Sequence, residues 1–207
     1  MPPLTGRYTA FEGSSVVAAG ALIDVALVVK ARGSATSAEP VLVFDDATGA
    51  VVDLDLRGSP ADIFARLATR ADQPAPEQPS QTSSDKNEND ARGRGRPKLG
   101  VVAREVTLLP RQWEWLASQP GGASQALRRL VDEARRQNAG QDRIRVAREA
   151  AYRFMSAMAG NLPGFEAATR ALFVGDRHQF RQATARWPDD VAAYASRLAM
   201  AVFPPEV

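Results

Sequence analysis

The chain contains no cysteine, and among its 207 residues there is a single histidine. Without cysteine there are no disulfide bonds, no thiolate nucleophile and none of the zinc or iron–sulfur sites that cysteine builds. The one histidine, His178, cannot assemble a histidine-based metal site alone. It also lies among charged residues in a segment with helical periodicity. We therefore predict no metal, no cofactor and no enzymatic activity.

Long apolar runs and a strong net charge are also missing. No segment approaches the roughly 20 apolar residues that a membrane-spanning helix needs, and the first residues show no basic-then-apolar leader. Lysine and arginine number 26 against 24 for aspartate and glutamate, a net charge of +2. We expect a cytoplasmic protein without a membrane partner, and the net charge alone does not require a polyanionic partner.

The charge is nevertheless distributed unevenly along the chain. Residues 91–100 hold four basic residues and no acidic one, whereas residues 71–90 hold one basic residue and five acidic ones. The basic excess is thus concentrated in a short segment that follows a net-acidic one. This arrangement indicates either a charged binding segment or two solvated segments in succession.

The first 70 residues have the turn signals and apolar spacing of a small mixed domain. The pattern predicts a ββαββα domain over residues 5–70. Asp45 and Asp46 precede a glycine-containing turn, so we assign them a turn role. Leucines alternate with aspartates between residues 51 and 56, which predicts a sheet with one solvent-exposed face. In order, the predicted elements are a hairpin over 7–18, a helix over 21–31, a second hairpin over 41–56 and a helix capped by Ser59.

The rest of the chain divides into three parts by composition. Residues 71–91 are rich in proline, serine and polar residues, which predicts a disordered linker. Residues 92–140 contain a basic arm and a strand–helix–helix pattern, and residues 141–203 read as a helical bundle. The predicted fold class is therefore α+β, with an N-terminal mixed domain and a C-terminal helical domain.

The basic arm, residues 92–98, resembles the AT-hook, which lies in the minor groove of A·T-rich DNA. The matching residues are Arg94, Gly95, Arg96 and Pro97, while Gly93 stands where a proline is usual. Arginines are attracted to the negative potential of narrow A·T grooves, glycine permits close backbone approach, and Arg92 and Lys98 can reach phosphates. The alternatives are a solvated basic linker or a contact with an acidic protein surface.

Residues 104–136 resemble the ribbon-helix-helix family of bacterial DNA-binding proteins. The resemblance implies a dimer in which residues 104–109 form an intermolecular ribbon that reads bases, with Arg104 and Thr107 as polar candidates. It also places the start of the second helix, near Ser124, on a phosphate. Because side chains alternate between the two faces of a strand, neither face of residues 104–109 is fully polar. The alternative is therefore a ribbon that forms the dimer without reading bases. Of Trp113 and Trp115, we expect one in the core and one in an interface.

The whole chain, in order, resembles the bacterial family of unknown function DUF2239. The segments that carry the resemblance are residues 41–49, 53–58, 95–100, 104–116 and 120–124. This resemblance implies no activity. The leading hypothesis is a dimeric DNA-binding regulatory or nucleoid-associated protein, with possible protein partners through its C-terminal helices. The alternative is a protein-interaction or antitoxin-like dimer without direct DNA readout.

Overall fold

The computed structural model describes residues 6–33, 39–72 and 104–203. Within these residues the chain forms a small antiparallel sheet and a larger set of helices, so the predicted α+β class is confirmed. The strands are β1 (Tyr8–Glu12), β2 (Ser15–Gly20) and β3 (Val41–Asp45). The helices are α1 (Leu22–Gly33), α2 (Pro60–Asp72), α3 (Pro110–Ala117), α4 (Gly122–Met158), α5 (Phe165–Val174), α6 (Arg177–Thr184) and α7 (Asp189–Leu198), and a short 3-10 helix (Ala199–Ala201) follows α7.

The first hairpin and its neighbouring helix form as predicted. β1 pairs antiparallel with β2, and α1 follows directly. The buried residues of α1 are those that recur at helical spacing in the sequence: Leu22, Val25, Ala26 and Val29. The predicted helix after Ser59 is also confirmed, as α2. Ser59 caps it, because the Ser59 amide donates to Asp62 Oδ2 over 2.7 Å and the Ser59 hydroxyl accepts from the Asp62 amide.

The predicted second hairpin forms only beside its turn. β3 pairs with β1, which gives the sheet order β2-β1-β3, and the residues after the turn contribute one isolated bridge between Phe44 and Val51. Beside this bridge the Asp45 amide donates to the Ala50 oxygen over 3.0 Å, and the Val52 amide donates to the Val43 oxygen over 2.7 Å. Residues 53–56, which were predicted to continue the second strand, form no strand. Side chains of two helices bind carbonyl groups there: Lys30 Nζ donates to the Leu56 oxygen over 2.9 Å, and Arg66 Nη2 donates to the Asp55 oxygen over 3.0 Å.

The sheet is covered on both sides, which corrects the prediction of one exposed face. Tyr8 and Ala10 of β1 face a core with α1 and α2, while Phe11 faces a second core with the C-terminal helices. In that second core, Phe44 lies 4.9 Å from the ring of Phe154 and Tyr194 lies 4.5 Å from the same ring. The alternation of exposed aspartates with leucines does occur, but in the unpaired segment after β3 rather than in the sheet.

The compact units of the structure do not follow the predicted domain boundaries near residues 70 and 140. One compact unit combines Met1–Ala75 with Asn138–Val207, and the other is Pro76–Gln137. The predicted N-terminal and C-terminal domains thus share one core around the sheet. A single helix, α4, also runs through the predicted boundary at residue 140. Gly140 interrupts nothing there, since a glycine inside a helix costs only about 1 kcal/mol and no proline accompanies it.

Candidate functional site

The predicted DNA contacts of the basic arm, Arg92, Arg94, Gly95, Arg96, Pro97 and Lys98, lie outside the described residues. The described part of the DNA prediction is Arg104 and Thr107, and both side chains are exposed. Residues 104–109 form no strand within the chain. A ribbon of the predicted kind forms between two chains, so the conformation of one chain does not decide it.

The two tryptophans of α3 are both exposed. Trp113 is 41% exposed and Trp115 is 50% exposed. The adjacent Leu116 is buried, with only 3% of its surface exposed. The prediction that one tryptophan lies in the core is therefore wrong for the single chain. Both tryptophans belong to the unit Pro76–Gln137. Among the residues of this unit that the structure describes, only Leu116 and Ala126 are buried, so the tryptophans have few apolar partners. Two large aromatic side chains are left available for a partner.

The first half of α4 carries an apolar stripe that the chain does not bury. The stripe consists of Leu127, Leu130, Val131 and Ala134, as the sequence spacing predicted. Leu130 is 38% exposed and Val131 is 55% exposed. Every residue from 128 to 143 is exposed. A helix of this length without a packed face lacks the tertiary contacts that usually stabilise helices in water.

The opposite side of the same helix is basic. Residues seven apart drift by only about 20° around a helix, so arginines at this spacing share a face. The centre of this face lies roughly 150° around the helix from the apolar stripe. We call it the basic face of α4; its arginines are Arg128, Arg129, Arg135 and Arg136.

The arginines of the basic face have no ion pair among the described residues, in contrast to Arg145 and Arg153 of the same helix. Arg145 lies 3.1 Å from Asp142 and 3.5 Å from Glu149, and Arg153 lies 3.6 Å from Glu149. The basic face itself contains one acidic residue, Asp132, against four arginines. Its positive charge is thus largely uncompensated, which is the electrostatic arrangement that attracts a polyanion.

The turn after β3 is built by Asp45, as predicted. Its side chain accepts from the amide of Ala47 over 2.7 Å, and its carbonyl oxygen accepts from the amide of Gly49 over 2.8 Å. Gly49 has φ +64, and a Cβ there would overlap the carbonyl oxygen of Ala150 in α4. The turn therefore requires glycine for its backbone conformation and for its close approach to the helix.

The next residue, Asp46, has a role that the sequence did not reveal. Its Oδ1 accepts from the hydroxyls of Thr9 and Tyr194, each over 2.8 Å, and its Oδ2 accepts from Arg197 Nη2 over 3.0 Å. Burial and the hydrogen bond to Asp46 raise the pKa of Tyr194 well above its usual range. Arg197 lies 4.5 Å above the Tyr194 ring. This cluster joins the sheet to α7, and its partners are too distant in sequence to give a local signal.

The single histidine, His178, and the aspartates of residues 53–56 are exposed. The described residues contain no group of three or more metal-ligating side chains. Asp55 is bound by Arg57, with atoms 2.9 and 2.8 Å apart, and these hydrogen bonds hold the pKa of the Asp55 carboxyl well below its usual range. Asp55 is therefore the solvent-exposed partner of an ion pair with Arg57.

Comparison with known protein families identifies a match that covers most of the chain. The family described as "Uncharacterized protein conserved in bacteria (DUF2239)" matches residues 7–199. No curated protein and no solved structure matches the chain. Among the described residues, no helix combines the length and the apolar character that crossing a membrane requires.

Proposed function

The chain belongs to the DUF2239 family, and we propose that it is a dimeric DNA-binding protein of regulatory or nucleoid-associated type. The basic arm contacts the minor groove of A·T-rich DNA, and the basic face of α4 contacts phosphates. Recognition then depends more on groove shape and charge than on base identity.

The observation that carries the proposal is the basic face of α4. From Arg128 to Arg136 it extends about 12 Å along the helix, a distance comparable to about three to four base pairs of DNA at 3.4 Å each. Its four exposed arginines have no carboxylate partner among the described residues. An arginine that is not held in an ion pair can displace a counterion when it binds a DNA phosphate. This displacement supplies affinity without sequence specificity.

The dimer in this proposal is supported by the apolar stripe on the other side of α4. Val131 and the tryptophans of α3 are about half exposed in the single chain, and burial of such side chains stabilises association. The partner in this proposal is a second copy of the chain. Two copies related by a two-fold axis present the same apolar stripe to each other, so each stripe covers the other. Pairing there leaves the basic faces of both copies available for DNA.

Titration of short A·T-rich and G·C-rich duplexes, followed by fluorescence anisotropy at several salt concentrations, tests the proposal. We expect binding that weakens with salt and that favours A·T-rich DNA. The Arg94→Ala and Arg96→Ala double variant should lose the A·T preference and retain weaker, composition-independent binding through α4. Absence of binding to either duplex at low salt contradicts the proposal.

A protein-interaction dimer without DNA readout is the second candidate, and the exposed Trp113 and Trp115 favour it. Aromatic side chains are enriched in the centres of protein interfaces. This candidate predicts that the full chain forms a dimer or a stoichiometric complex with another protein, and that duplex DNA at low salt leaves its sedimentation unchanged. Binding of either duplex in the titration above rejects it.

A further inference from the structure

A groove of about 620 Å³ lies in the compact unit that contains the sheet, between the turn after β3, the second half of α4 and α7. This volume falls within the range of about 300 to 1,000 Å³ that small-molecule sites occupy. The residues that line the groove include Arg7, Arg143 and Arg197 as well as Val146, Ala147 and Leu198. The groove thus combines cationic and apolar side chains.

The carboxylates at the groove are already engaged by the chain itself. Asp46 accepts hydrogen bonds from Thr9, Tyr194 and Arg197. Asp142 is paired with Arg145 over 3.1 Å. The ion pairs of these carboxylates are thus with Arg197 and Arg145, and neither forms an ion pair with Arg7 or Arg143.

Two of those cations, Arg7 and Arg143, have exposed side chains and no ion pair among the described residues. Arg7 is held in place by its backbone, because its carbonyl oxygen accepts from the Asp46 amide over 2.9 Å. Arg143 projects from α4, one turn before the apolar lining residue Val146. The groove thus has uncompensated positive charge beside its apolar surface.

We propose that this groove binds a small organic anion, with an apolar body on Val146, Ala147 and Leu198 and its carboxylate or phosphate on Arg7 and Arg143. Arginine provides paired donors that match the oxygens of both groups. An apolar body is required, because an inorganic anion would leave most of the lining unfilled. The inference concerns this groove alone and does not depend on DNA binding.

Three naphthalene compounds of similar size serve as probes for calorimetric titration of the full chain without DNA: naphthoate, naphthyl phosphate and the neutral naphthyl methanol. We expect one-to-one, saturable binding of at least one anion and at least tenfold weaker binding of the neutral compound. The ratio between naphthoate and naphthyl phosphate then identifies which anionic group the groove prefers.

Variants locate the binding. Arg7→Gln and Arg143→Gln should each weaken anion binding about tenfold, since each removes a charge-assisted hydrogen bond. Val146→Asp should abolish binding, because it places a carboxylate on the floor at a position that is 47% exposed and tolerant of substitution. The matched control is Arg186→Gln, which removes an exposed arginine outside the groove and should leave the affinity unchanged.

Several results overturn the proposal. Equal affinity for the neutral compound shows that the anion is not recognised. Binding that survives Val146→Asp, or that falls equally in the Arg186→Gln control, places the anion elsewhere on the protein. If none of the three probes binds to a chain whose circular dichroism shows that it is folded, the groove does not hold an organic anion.

Discussion

At the residue scale, the turn after β3 contains the most constrained positions of the described chain. Asp45 closes the turn, Asp46 binds side chains from β1 and α7, and Gly49 lies against the backbone of α4. Three neighbouring residues therefore fix the turn, the sheet and the helices relative to one another within this unit. This explains in physical terms why a short acidic, glycine-containing motif stands at this place in the chain.

Gly49→Ala should destabilise the protein by about 2 to 5 kcal/mol. A left-handed backbone costs a non-glycine residue about 1 to 2 kcal/mol, and the overlap with the Ala150 carbonyl adds the cost of an overpacked site, about 1 to 3 kcal/mol. Urea unfolding followed by circular dichroism measures the difference.

The control for this substitution is Gly13→Ala. Gly13 has a similar φ of +57, but an added Cβ there meets only the flexible side chain of Glu39. We expect a loss of about 1 to 2 kcal/mol for the control. Equal losses for the two variants would show that the contact with α4 contributes nothing.

Stability should fall as pH rises above about 10. Burial, with a smaller contribution from Asp45, raises the pKa of Tyr8 from its ordinary value of 10.0 to about 12. The unfolded chain then releases the phenolic proton before the folded chain does, so the stabilisation is complete below pH 10.0 and is lost as pH rises towards about 12. The pKa of Tyr194 is raised in the same direction.

Urea unfolding at increasing pH, for the wild type and for Tyr8→Phe, measures this dependence. The wild type should lose on the order of 2 kcal/mol more than the variant over this interval, since one pKa unit corresponds to 1.36 kcal/mol. Parallel curves for the two proteins would contradict the raised pKa of Tyr8.

Sequence reasoning succeeded at residues whose roles are local. The turn role of Asp45, the Ser59 cap and the buried face of α1 all follow from neighbours within a few positions. It missed Asp46, because a turn aspartate and an aspartate bound to Tyr194 look alike in sequence. It also misplaced the tryptophans of α3, because apolar character does not distinguish a core from an interface.

At the element scale, α4 has two different halves. Its second half packs Ala151, Phe154 and Met155 into the core around the sheet, whereas residues 128–143 are exposed on every side. The helical periodicity was visible in the sequence, but the continuity of the helix through Gly140 was not. The alternation of residues 53–56 also predicted a strand, whereas in the structure the side chains of Lys30 and Arg66 bind the carbonyl groups of Leu56 and Asp55.

Val131→Glu should weaken the proposed dimer without weakening the fold. Val131 is 55% exposed in the single chain, so its replacement should change the free energy of unfolding of the monomer by no more than about 0.5 kcal/mol. In a dimer interface, loss of a buried valine costs about 1.5 to 3 kcal/mol, or about a tenfold to a hundredfold increase in the dissociation constant.

Sedimentation equilibrium measures that constant. Ala139→Glu is the matched control, because it adds the same charge to the same helix on the side away from the apolar stripe. We expect the control to dimerise like the wild type. Identical sedimentation of Val131→Glu and the wild type would rule out the stripe as the dimer interface.

At the scale of the whole molecule, the first and last parts of the chain share one core. Phe11 and Phe44 of the sheet meet Phe154 and Tyr194 of the helices in a cluster of ring contacts between 4.5 and 6.3 Å. The composition of the chain predicted two terminal domains because the intervening segment is polar. It did not predict their union, since pairing between residues more than a hundred positions apart leaves no periodic trace in a single sequence.

The proposed DNA interface was only partly predictable in the same way. The sequence indicated the arm, and helical spacing places Arg128, Arg129, Arg135 and Arg136 off the apolar stripe. It did not indicate that these arginines form no ion pair within the described part of the chain, whereas Arg145 and Arg153 are bound by acidic residues. That difference depends on side-chain geometry, because all of them lie near acidic residues in the sequence.

The salt dependence of DNA binding by the Arg129→Gln and Arg136→Gln double variant is the most direct measurement of the proposed interface. The matched control is Arg170→Gln with Arg186→Gln, two exposed arginines outside α4 that have no ion pair with any residue the structure describes. If the basic face of α4 binds phosphates, the slope of log affinity against log salt should fall by about 0.9 for each contact removed, so by about 1.8 for the double variant, and the control should keep the wild-type slope. A double variant with the wild-type slope and affinity contradicts DNA binding through α4.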